Sequence, residues 1–313
     1  MPRSPLRGRS FVSVADLTID ELNLVLETAA DVKRRHQAGE TSRVFEGKTL
    51  GLVFQKPSLR TRVSFEVAMN QCGGRGLYLS PGEVGLGERE SVDDVAAVLS
   101  RFVDVIAARV FGHDLVVGLA KHASVPVINA LSDWEHPCQA LADLQTMKER
   151  RGHLKGLKMS FIGDGNNVAA SLALACAKVG MHFDVASPQG YELPTAIWDQ
   201  AKSDAQKTGS VLRQVRDPKD AAKGCDAFYG DVWASMGQEK EREKRLRDFK
   251  GYQINKELLA IANPECLVLH CLPAHYGEEI TKDVTRIPQS AIWDQAENRL
   301  HAQKALLLLL LGH

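Results

Sequence analysis

The sequence predicts an α/β protein of two domains, each a parallel sheet covered by helices on both faces, joined by inter-domain helices. The chain has 313 residues, which is enough for two hydrophobic cores of ordinary size. Strand-like and helix-like stretches alternate along it twice, on either side of a charged, glycine-containing break at residues 150–156. Such alternation indicates parallel strands, because parallel neighbours need a crossover connection that is usually helical.

The first domain is predicted over residues 1–150. Its first helix begins near Thr18, where T-I-D-E forms a capping box with Glu21. The strand-like stretches that follow are residues 48–55, 76–80, 103–110 and 126–131. The helix-like stretches are residues 58–73, 93–102 and 136–151, and a C-terminal helix, 294–313, is predicted to pack back on this domain.

The second domain is predicted over residues 151–293. Its strand-like stretches are residues 157–164, 182–187, 227–231 and 266–272, with helices from Asn167 and over 195–209. Ligands of such open parallel sheets bind beyond the carboxyl ends of the strands. Polar residues at those ends are therefore the candidates for function.

Composition excludes several classes of protein. Lysine and arginine (39) balance aspartate and glutamate (39), which leaves no basic excess to bind nucleic acid. The apolar run at residues 306–311 is far shorter than the roughly 20 residues that span a bilayer, so no membrane segment is expected. The six cysteines contain no C-x-x-C pair, which favours reduced thiols in a cytoplasm. The ten histidines form no H-E-x-x-H motif, so no metal is expected.

Residues 57–62, P-S-L-R-T-R, lie where a predicted strand hands over to a helix. The amide N–H groups of a helix's first turn bind anions, and here two hydroxyls and two guanidiniums accompany them. The motif is therefore a candidate phosphate site, with an N-capped helix and a solvated basic turn as the alternative.

Two further motifs open helices. H-P-C-Q follows the strand-like residues 126–131, and there His136 can donate to a carbonyl oxygen while Gln139 can accept from an amide nitrogen. A histidine that merely caps the helix is the alternative. G-D-G-N-N-V resembles a dinucleotide turn, but Val168 replaces its third glycine and the next strand ends without a ribose-binding acid. It remains a tight turn that directs Asn167 toward the strand ends.

Two later strands end in D-V-W-A-S-M-G and H-C-L-P. An acid, a thiol and exposed backbone groups at strand ends can hold an amine and an amide. The alternative is structural: Asp231 begins a loop as an Asx turn, and Cys271 packs as a small buried side chain.

In this order the five motifs resemble the aspartate/ornithine carbamoyltransferase family over nearly the whole chain. FQKPSLRTRVSFEVA is similar to the family's S-T-R-T-R phosphate site, and HPCQALADLQT to its H-P-x-Q element. GDGNNV, DVWASMG and HCLPAH resemble signatures of the ornithine branch, whereas the aspartate branch carries H-P-L-P at the last position.

The resemblance implies transfer of the carbamoyl group from carbamoyl phosphate to the δ-amine of L-ornithine, giving L-citrulline and phosphate, a step of arginine biosynthesis or of urea-cycle type. Carbamoyl phosphate and L-ornithine are then the partners, with no nucleic acid, membrane, metal or cofactor. It further implies a cytoplasmic homotrimer or a multiple of it. Residues 1–150 become the carbamoyl-phosphate-binding domain and residues 151–293 the ornithine-binding domain.

The resemblance also implies roles for individual residues. Carbamoyl phosphate would be bound by Ser58, Leu59, Arg60, Thr61, Arg109, His136, Gln139, Cys271, Leu272 and Arg299. L-ornithine would be bound by Asn167, Asp231, Ser235 and Met236, and the catalytic residues would be Arg109, His136, Asp231 and Cys271. In this chain Leu59 replaces the second residue of S-T-R-T-R, and Gly85 stands where the family commonly carries a Gln or His that reaches a neighbouring subunit.

Three other functions fit parts of the sequence. A relative could use another amine, such as putrescine or an acylated ornithine, although the S-M-G loop favours a free amino acid. A non-catalytic paralogue would keep the fold without the reaction, and an NAD-dependent dehydrogenase would use the G-D-G-N turn. Intact Arg60, Arg109, His136 and Cys271 argue against the paralogue.

Overall fold

The computed structural model describes residues 4–235, 237 and 239–313. The chain forms two compact units, the first Met1–Gln145 with Glu297–His313 and the second Thr146–Ala296. Each unit contains a parallel sheet with helices connecting its strands, as the sequence predicts. No helix in the described ranges is both long and apolar enough to cross a membrane.

The described part of the first unit has a four-stranded sheet in the order β2-β1-β3-β4. Its strands are β1 (Thr49–Phe54), β2 (Arg75–Leu79), β3 (Val105–Arg109) and β4 (Val127–Leu131). Its helices are α1 (Ile19–Gln37), α2 (Leu59–Gln71), α3 (Pro81–Val84), α4 (Val92–Leu99) and α5 (His113–His122), preceded by a 3-10 turn at Val14–Asp16. Central β1 and β3 are almost wholly buried and accordingly apolar, whereas edge strand β2 is half exposed.

The chain enters and leaves the second unit within two continuous helices, α6 (Pro137–Arg151) and α12 (Ile292–Leu311). The sequence places the domain boundaries at 150/151 and 293/294, whereas the units change at 145/146 and 296/297. The difference arises because a boundary inside a helix has no glycine or proline to mark it.

The described part of the second unit has five parallel strands in the order β7-β6-β5-β8-β9. They are β5 (Lys158–Ile162), β6 (His182–Ala186), β7 (Leu212–Val215), β8 (Ala227–Gly230) and β9 (Leu267–His270). The helices are α7 (Asn167–Val179), α8 (Thr195–Thr208), α9 (Pro218–Ala222), α10 (Arg242–Asp248) and α11 (Lys256–Leu259), with 3-10 turns at Glu239–Glu241 and Val284–Arg286.

Helix α7 is almost wholly buried, since its residues from Val168 to Lys178 are all buried. Alanines dominate its sequence, which lets neighbouring elements approach closely. The turn before it needs a glycine, because a Cβ on Gly165 would lie 2.5 Å from the carbonyl carbon of Glu192. This close approach fixes the path of the chain from β5 into α7.

Candidate active site

The phosphate motif of the first unit lies where its sheet changes direction. The chain runs outward from β1 to β2 and then returns to β3 on the other side of β1, which makes the β1–β3 edge the switch point of the strand order. Phe54 at the end of β1 pairs with Arg109 at the end of β3. Arg109 therefore lies beside the segment that leads into P-S-L-R-T-R.

Ser58 is the N-cap of α2, and its hydroxyl accepts a hydrogen bond from the Thr61 amide at 3.3 Å. The Leu59 side chain is 74% exposed, so this residue can contribute to an anion site only through its backbone. Arg62 donates to Glu66 at 3.1 Å and stacks over the Tyr78 ring. Arg62 thus has a structural role, while Ser58, Leu59, Arg60 and Thr61 form the turn that can bind phosphate.

A chain of hydrogen bonds joins the predicted residues behind this turn. Arg299 on α12 donates to the Thr61 hydroxyl at 3.3 Å and to the Gln139 side-chain oxygen at 2.8 Å. The Gln139 amide in turn donates to Asp143 at 2.8 Å, one turn further along α6. The structure thereby brings together Thr61, Gln139 and Arg299, and it adds Asp143, which sequence reasoning missed because it carries no motif signal of its own.

His136 is buried at the start of α6, and burial is the main reason that its pKa lies well below the usual histidine value. Four cations lower this pKa further: Arg299, Arg109, Arg60 and Lys56. A neutral imidazole can still donate one hydrogen bond, which suits a ligand's carbonyl oxygen. Burial and the charge of Arg109 also lower the pKa of Lys56, a nearby cation that sequence reasoning did not select.

Cys138 lies in the H-P-C-Q motif, two residues after His136, but its thiol is unreactive. Burial raises the pKa of its thiol to about 12, and its sulfur donates to the Asn129 carbonyl at 3.5 Å. A thiol with this pKa remains protonated near neutral pH and is a poor nucleophile.

The second unit has its own switch point, between β5 and β8. In the register of this sheet Gly230 pairs with both Ile162 and His270. The residues that follow these three are Gly163, Asp231 and Cys271. The G-D-G-N-N-V turn, the acid and the thiol therefore lie at one edge of one sheet.

Asp231 is the centre of this group. One carboxylate oxygen accepts from the Cys271 thiol at 3.0 Å and from the Val232 amide at 2.8 Å. The other accepts from the Asn166 side chain at 2.8 Å. Asn166 also caps α7, since its side-chain oxygen accepts from the amides of Val168 and Ala169. Sequence reasoning selected Asn167 and missed Asn166, although an asparagine before a helix is a capping signal.

Three further predicted residues, Asn167, Ser235 and Leu272, lie in the segments that follow these strand ends. Asn167 is the first residue of α7, and Ser235 lies in the segment after β8, each half-buried. Leu272 follows Cys271 and has a positive φ of 59°. Met236 lies outside the described residues.

One group in the described ranges has the composition of a metal site: ligand atoms of His275, Glu278 and Glu279 lie within 4.8 Å of one another. Glu278 forms an ion pair with Arg242, however, and Glu279 accepts from the backbone amide of His275. These contacts engage Glu278 and one oxygen of Glu279.

Family models match both parts of the chain. Residues 9–149 match "Aspartate/ornithine carbamoyltransferase, carbamoyl-P binding domain". Residues 155–310 match "Aspartate/ornithine carbamoyltransferase, Asp/Orn binding domain". Together the two matches cover most of the sequence.

Individual relatives agree with these models. The chain is 52% identical to ornithine carbamoyltransferase of Pyrococcus abyssi over 98% of its own length and 97% of the relative's. It is similar to the solved ornithine carbamoyltransferase of Pyrococcus furiosus at a TM-score of 0.96 and 51% identity, with 98% of each chain covered. An anabolic enzyme of this name from Campylobacter jejuni has a TM-score of 0.90 at 33% identity, with 96% of this chain and 97% of that one covered. The resemblance seen in the sequence is confirmed, and the chain belongs to the aspartate/ornithine carbamoyltransferase family.

Proposed function

We propose that the protein transfers the carbamoyl group of carbamoyl phosphate to the δ-amine of L-ornithine, giving L-citrulline and phosphate, as a step of arginine biosynthesis. The observation that carries the proposal is the hydrogen bond between the Cys271 thiol and Asp231. It joins two residues that distinguish the ornithine branch, from D-V-W-A-S-M-G and H-C-L-P, at one strand edge where an amine can be bound. The names of the relatives support the same reaction.

The first unit supplies the carbamoyl-phosphate contacts in this proposal. The first turn of α2, with Ser58, Leu59, Arg60 and Thr61, binds the phosphate through amides, hydroxyls and a guanidinium. Arg109 and neutral His136 stabilise the oxyanion that forms when the amine attacks the carbonyl carbon. Gln139 contacts the carbamoyl nitrogen through the oxygen that already accepts from Arg299, since an amide oxygen has two lone pairs.

The second unit supplies the ornithine contacts. Asn167, Ser235, Met236 and Asp231 bind the amino acid, and the backbone carbonyls of Cys271 and Leu272 contact the carbamoyl nitrogen. The δ-amine of ornithine resembles that of lysine, with a pKa of about 10.4, so roughly one molecule in a thousand carries a neutral amine at about pH 7.4. This fraction adds roughly 4 kcal/mol to the barrier unless the site favours the neutral amine. Asp231 and Cys271 orient the amine, and the Asp231 carboxylate, to which the thiol already donates, accepts its proton.

The chemical step balances without a cofactor. The ornithine nitrogen forms a bond to the carbamoyl carbon, the bond from that carbon to the phosphate oxygen breaks, and phosphate leaves with the electron pair. The first proton of the bound ammonium passes to the Asp231–Cys271 pair, which leaves the amine neutral, and the second passes to the departing phosphate.

The remaining proposals concern organisation. Residues 1–150 form the carbamoyl-phosphate-binding domain, with residues 294–313 packing back on it, and residues 151–293 form the ornithine-binding domain. The two family models, matched at residues 9–149 and 155–310, support a division near residue 150, and the grouping of Glu297–His313 with the first unit supports the placement of the last helix. The protein acts as a homotrimer, or a multiple of it, in the cytoplasm. None of its six cysteines forms a disulfide in the described ranges, which fits a reducing compartment.

Product analysis tests the function. Purified protein is incubated with carbamoyl phosphate and, in parallel, L-ornithine, putrescine, N-acetylornithine or L-aspartate. We expect citrulline from L-ornithine at a rate far above the other amines, with one phosphate released per citrulline. A faster reaction with putrescine or N-acetylornithine would identify that amine as the substrate instead of L-ornithine. No product from any amine would support the non-catalytic alternative.

A further inference from the structure

The Cys271–Leu272 peptide group has an unusual conformation that a nearby side chain holds. Leu272 adopts a φ of 59°, in the left-handed region that bulky residues rarely occupy. Its amide N–H donates to Nδ1 of His270 at 2.9 Å. This N–H and the Cys271 carbonyl belong to one trans peptide group, so the two point in opposite directions. Fixing the N–H therefore fixes the direction of the Cys271 carbonyl.

A second contact sets the state of the imidazole. Because Nδ1 of His270 accepts from Leu272, the ring proton lies on Nε2. Nε2 is 3.1 Å from Oε1 of Glu279, to which it donates. The same oxygen accepts from the His275 backbone amide at 2.6 Å, just beyond the Cys271–Leu272 turn. Glu279 thus holds both the imidazole and the far end of the turn.

A contribution to stability does not explain why Glu279 is buried at this position. Glu279 is 0% exposed and His270 1% exposed. The second oxygen of Glu279, Oε2, has no hydrogen-bond partner among the described residues. Burying an unsatisfied carboxylate oxygen is unfavourable, and an apolar side chain would fill the same space without that cost. A buried polar group retained at such a cost calls for a role other than packing.

We propose that His270 is a positioning residue that aims the Cys271 carbonyl at the carbamoyl nitrogen, and that Glu279 holds the His270 ring in the required tautomer and orientation. This inference rests on the proposed function, in which the Cys271 carbonyl contacts that nitrogen. Neither residue touches substrate. The thiol of Cys271 is separate from this device, since it bonds to Asp231.

Two amide substitutions at His270 each keep one of the two hydrogen bonds of the imidazole and remove the other. In H270N the side-chain oxygen can take the place of Nδ1 and still accept from Leu272, but the link to Glu279 is lost. In H270Q the amide can take the place of Nε2 and still donate to Glu279, but the acceptor for Leu272 is lost. We expect kcat for citrulline formation to fall roughly 10- to 100-fold in H270Q, as for a misplaced reacting group, and clearly less in H270N.

Glu279 offers a second matched pair. The amide oxygen of E279Q can keep both accepted hydrogen bonds, whereas E279M keeps the length of the side chain and loses both. E279Q should retain most of the wild-type kcat, and E279M should resemble H270Q. The dissociation constant for inorganic phosphate, measured by calorimetry, should match wild type in all four variants because the phosphate contacts lie in the first unit.

The outcomes separate the inference from the function. Wild-type kcat in folded H270Q or E279M, or equal losses in H270N and H270Q that follow their melting temperatures, would overturn the positioning role. If H270Q does not fold, the comparison of E279Q with E279M and the kcat of H270N decide by the same criteria. A wild-type protein that makes no citrulline overturns the proposed function and this inference with it.

Discussion

Two arginines of one motif, Arg60 and Arg62, have different surroundings. Arg62 is engaged by Glu66 and by the Tyr78 ring. The charge of Arg60, by contrast, lowers the pKa of His136, so it acts on the candidate site. Arg62 therefore has a fold contact, whereas the proximity of Arg60 to His136 supports the proposal that Arg60 contacts the phosphate.

Replacement of Arg60 by Ala should weaken carbamoyl-phosphate binding by at least ~2 kcal/mol, because a charge-assisted contact to the phosphate is lost. Arg62→Ala is the matched control and should change the affinity by less than about 1 kcal/mol, as for an exposed pair. Calorimetric titration measures both. Near wild-type affinity in Arg60→Ala would remove the turn at Ser58–Thr61 from the phosphate site.

Cys271 differs from the other cysteines in its exposure, since it alone among the six is only half-buried. Replacement by Ser should lower kcat or raise the ornithine KM beyond any loss of stability, while carbamoyl-phosphate binding changes less. Cys225→Ser, in the core of the same unit, should lower the melting temperature without altering the kinetics of folded enzyme. Steady-state kinetics over a pH series decides, and unchanged kinetics with a lowered melting temperature would make Cys271 a packing residue.

For individual residues, the sequence predicts which residues lie at the strand ends better than it predicts their hydrogen-bond partners. Two of the five motifs located the strand ends that Asp231 and Cys271 follow, whereas Arg109, at the end of β3, was selected only through the family resemblance. Two adjacent asparagines at the start of α7 could not be told apart, because only the geometry of the helix cap shows that Asn166 bonds to Asp231. The role of Asn167 remains a prediction.

At the scale of elements, the N-cap of α7 is connected to the candidate site through Asp231. Asn166 uses its side-chain oxygen for the cap and its side-chain nitrogen for Asp231. Thr18 caps α1 through a capping box with Glu21. The two caps therefore make a matched pair in which only Asn166 also bonds to a candidate site residue.

Asn166→Ala and Thr18→Ala should each cost about 1 kcal/mol of stability, the usual effect of losing a cap. Only Asn166→Ala should also raise the ornithine KM, because Asp231 loses a partner that fixes its carboxylate. Chemical denaturation and steady-state kinetics measure the two effects. Equal kinetics in both variants would show that Asn166 serves the helix alone.

The predictability of elements follows their length and burial. The buried strands and the helices of 13 residues or more were predicted because an apolar run or a helical period is visible over many residues. Helix α5, of ten residues, was not predicted. Helices α3 and α11, of four residues each, are too short for a period to appear. Edge strand β7, with the sequence L-R-Q-V, is not fully buried and so lacks the apolar signal of a central strand.

For the molecule as a whole, buried histidines couple stability to pH. Burial lowers the pKa of His301 to about 4 and holds that of His136 well below its usual value. In the unfolded chain both histidines should have a pKa of about 6.5. The unfolded state therefore binds more protons below that pH, and the stability present above it is lost as the pH falls.

We expect the free energy of unfolding to decrease as the pH is lowered from about 6.5 toward the His301 pKa of about 4. His301→Gln, which cannot titrate, should flatten this dependence. Denaturant unfolding at a series of pH values measures the slope in both proteins. An unchanged slope in the variant would assign the acid sensitivity to other groups.

The discontinuous first unit has a consequence for synthesis on the ribosome. The second unit is one unbroken segment, Thr146–Ala296, whereas the first needs Glu297–His313 as well. The buried residues of that last segment include Ala302, Ala305, Leu306, Leu307, Leu309 and Leu310. The first unit therefore cannot complete its core until residues 297–313 have been synthesised. The second unit can fold earlier, as soon as residues 146–296 have left the ribosome.

A nascent chain that ends at Ala296 should thus contain a protease-resistant segment spanning most of residues 146–296, while residues 4–145 are digested. Limited proteolysis of such a truncated chain, with fragments identified by mass spectrometry and the full-length protein as control, reports the order directly. Resistance of the early portion in the truncated chain would mean that it completes its core before the final helix leaves the ribosome.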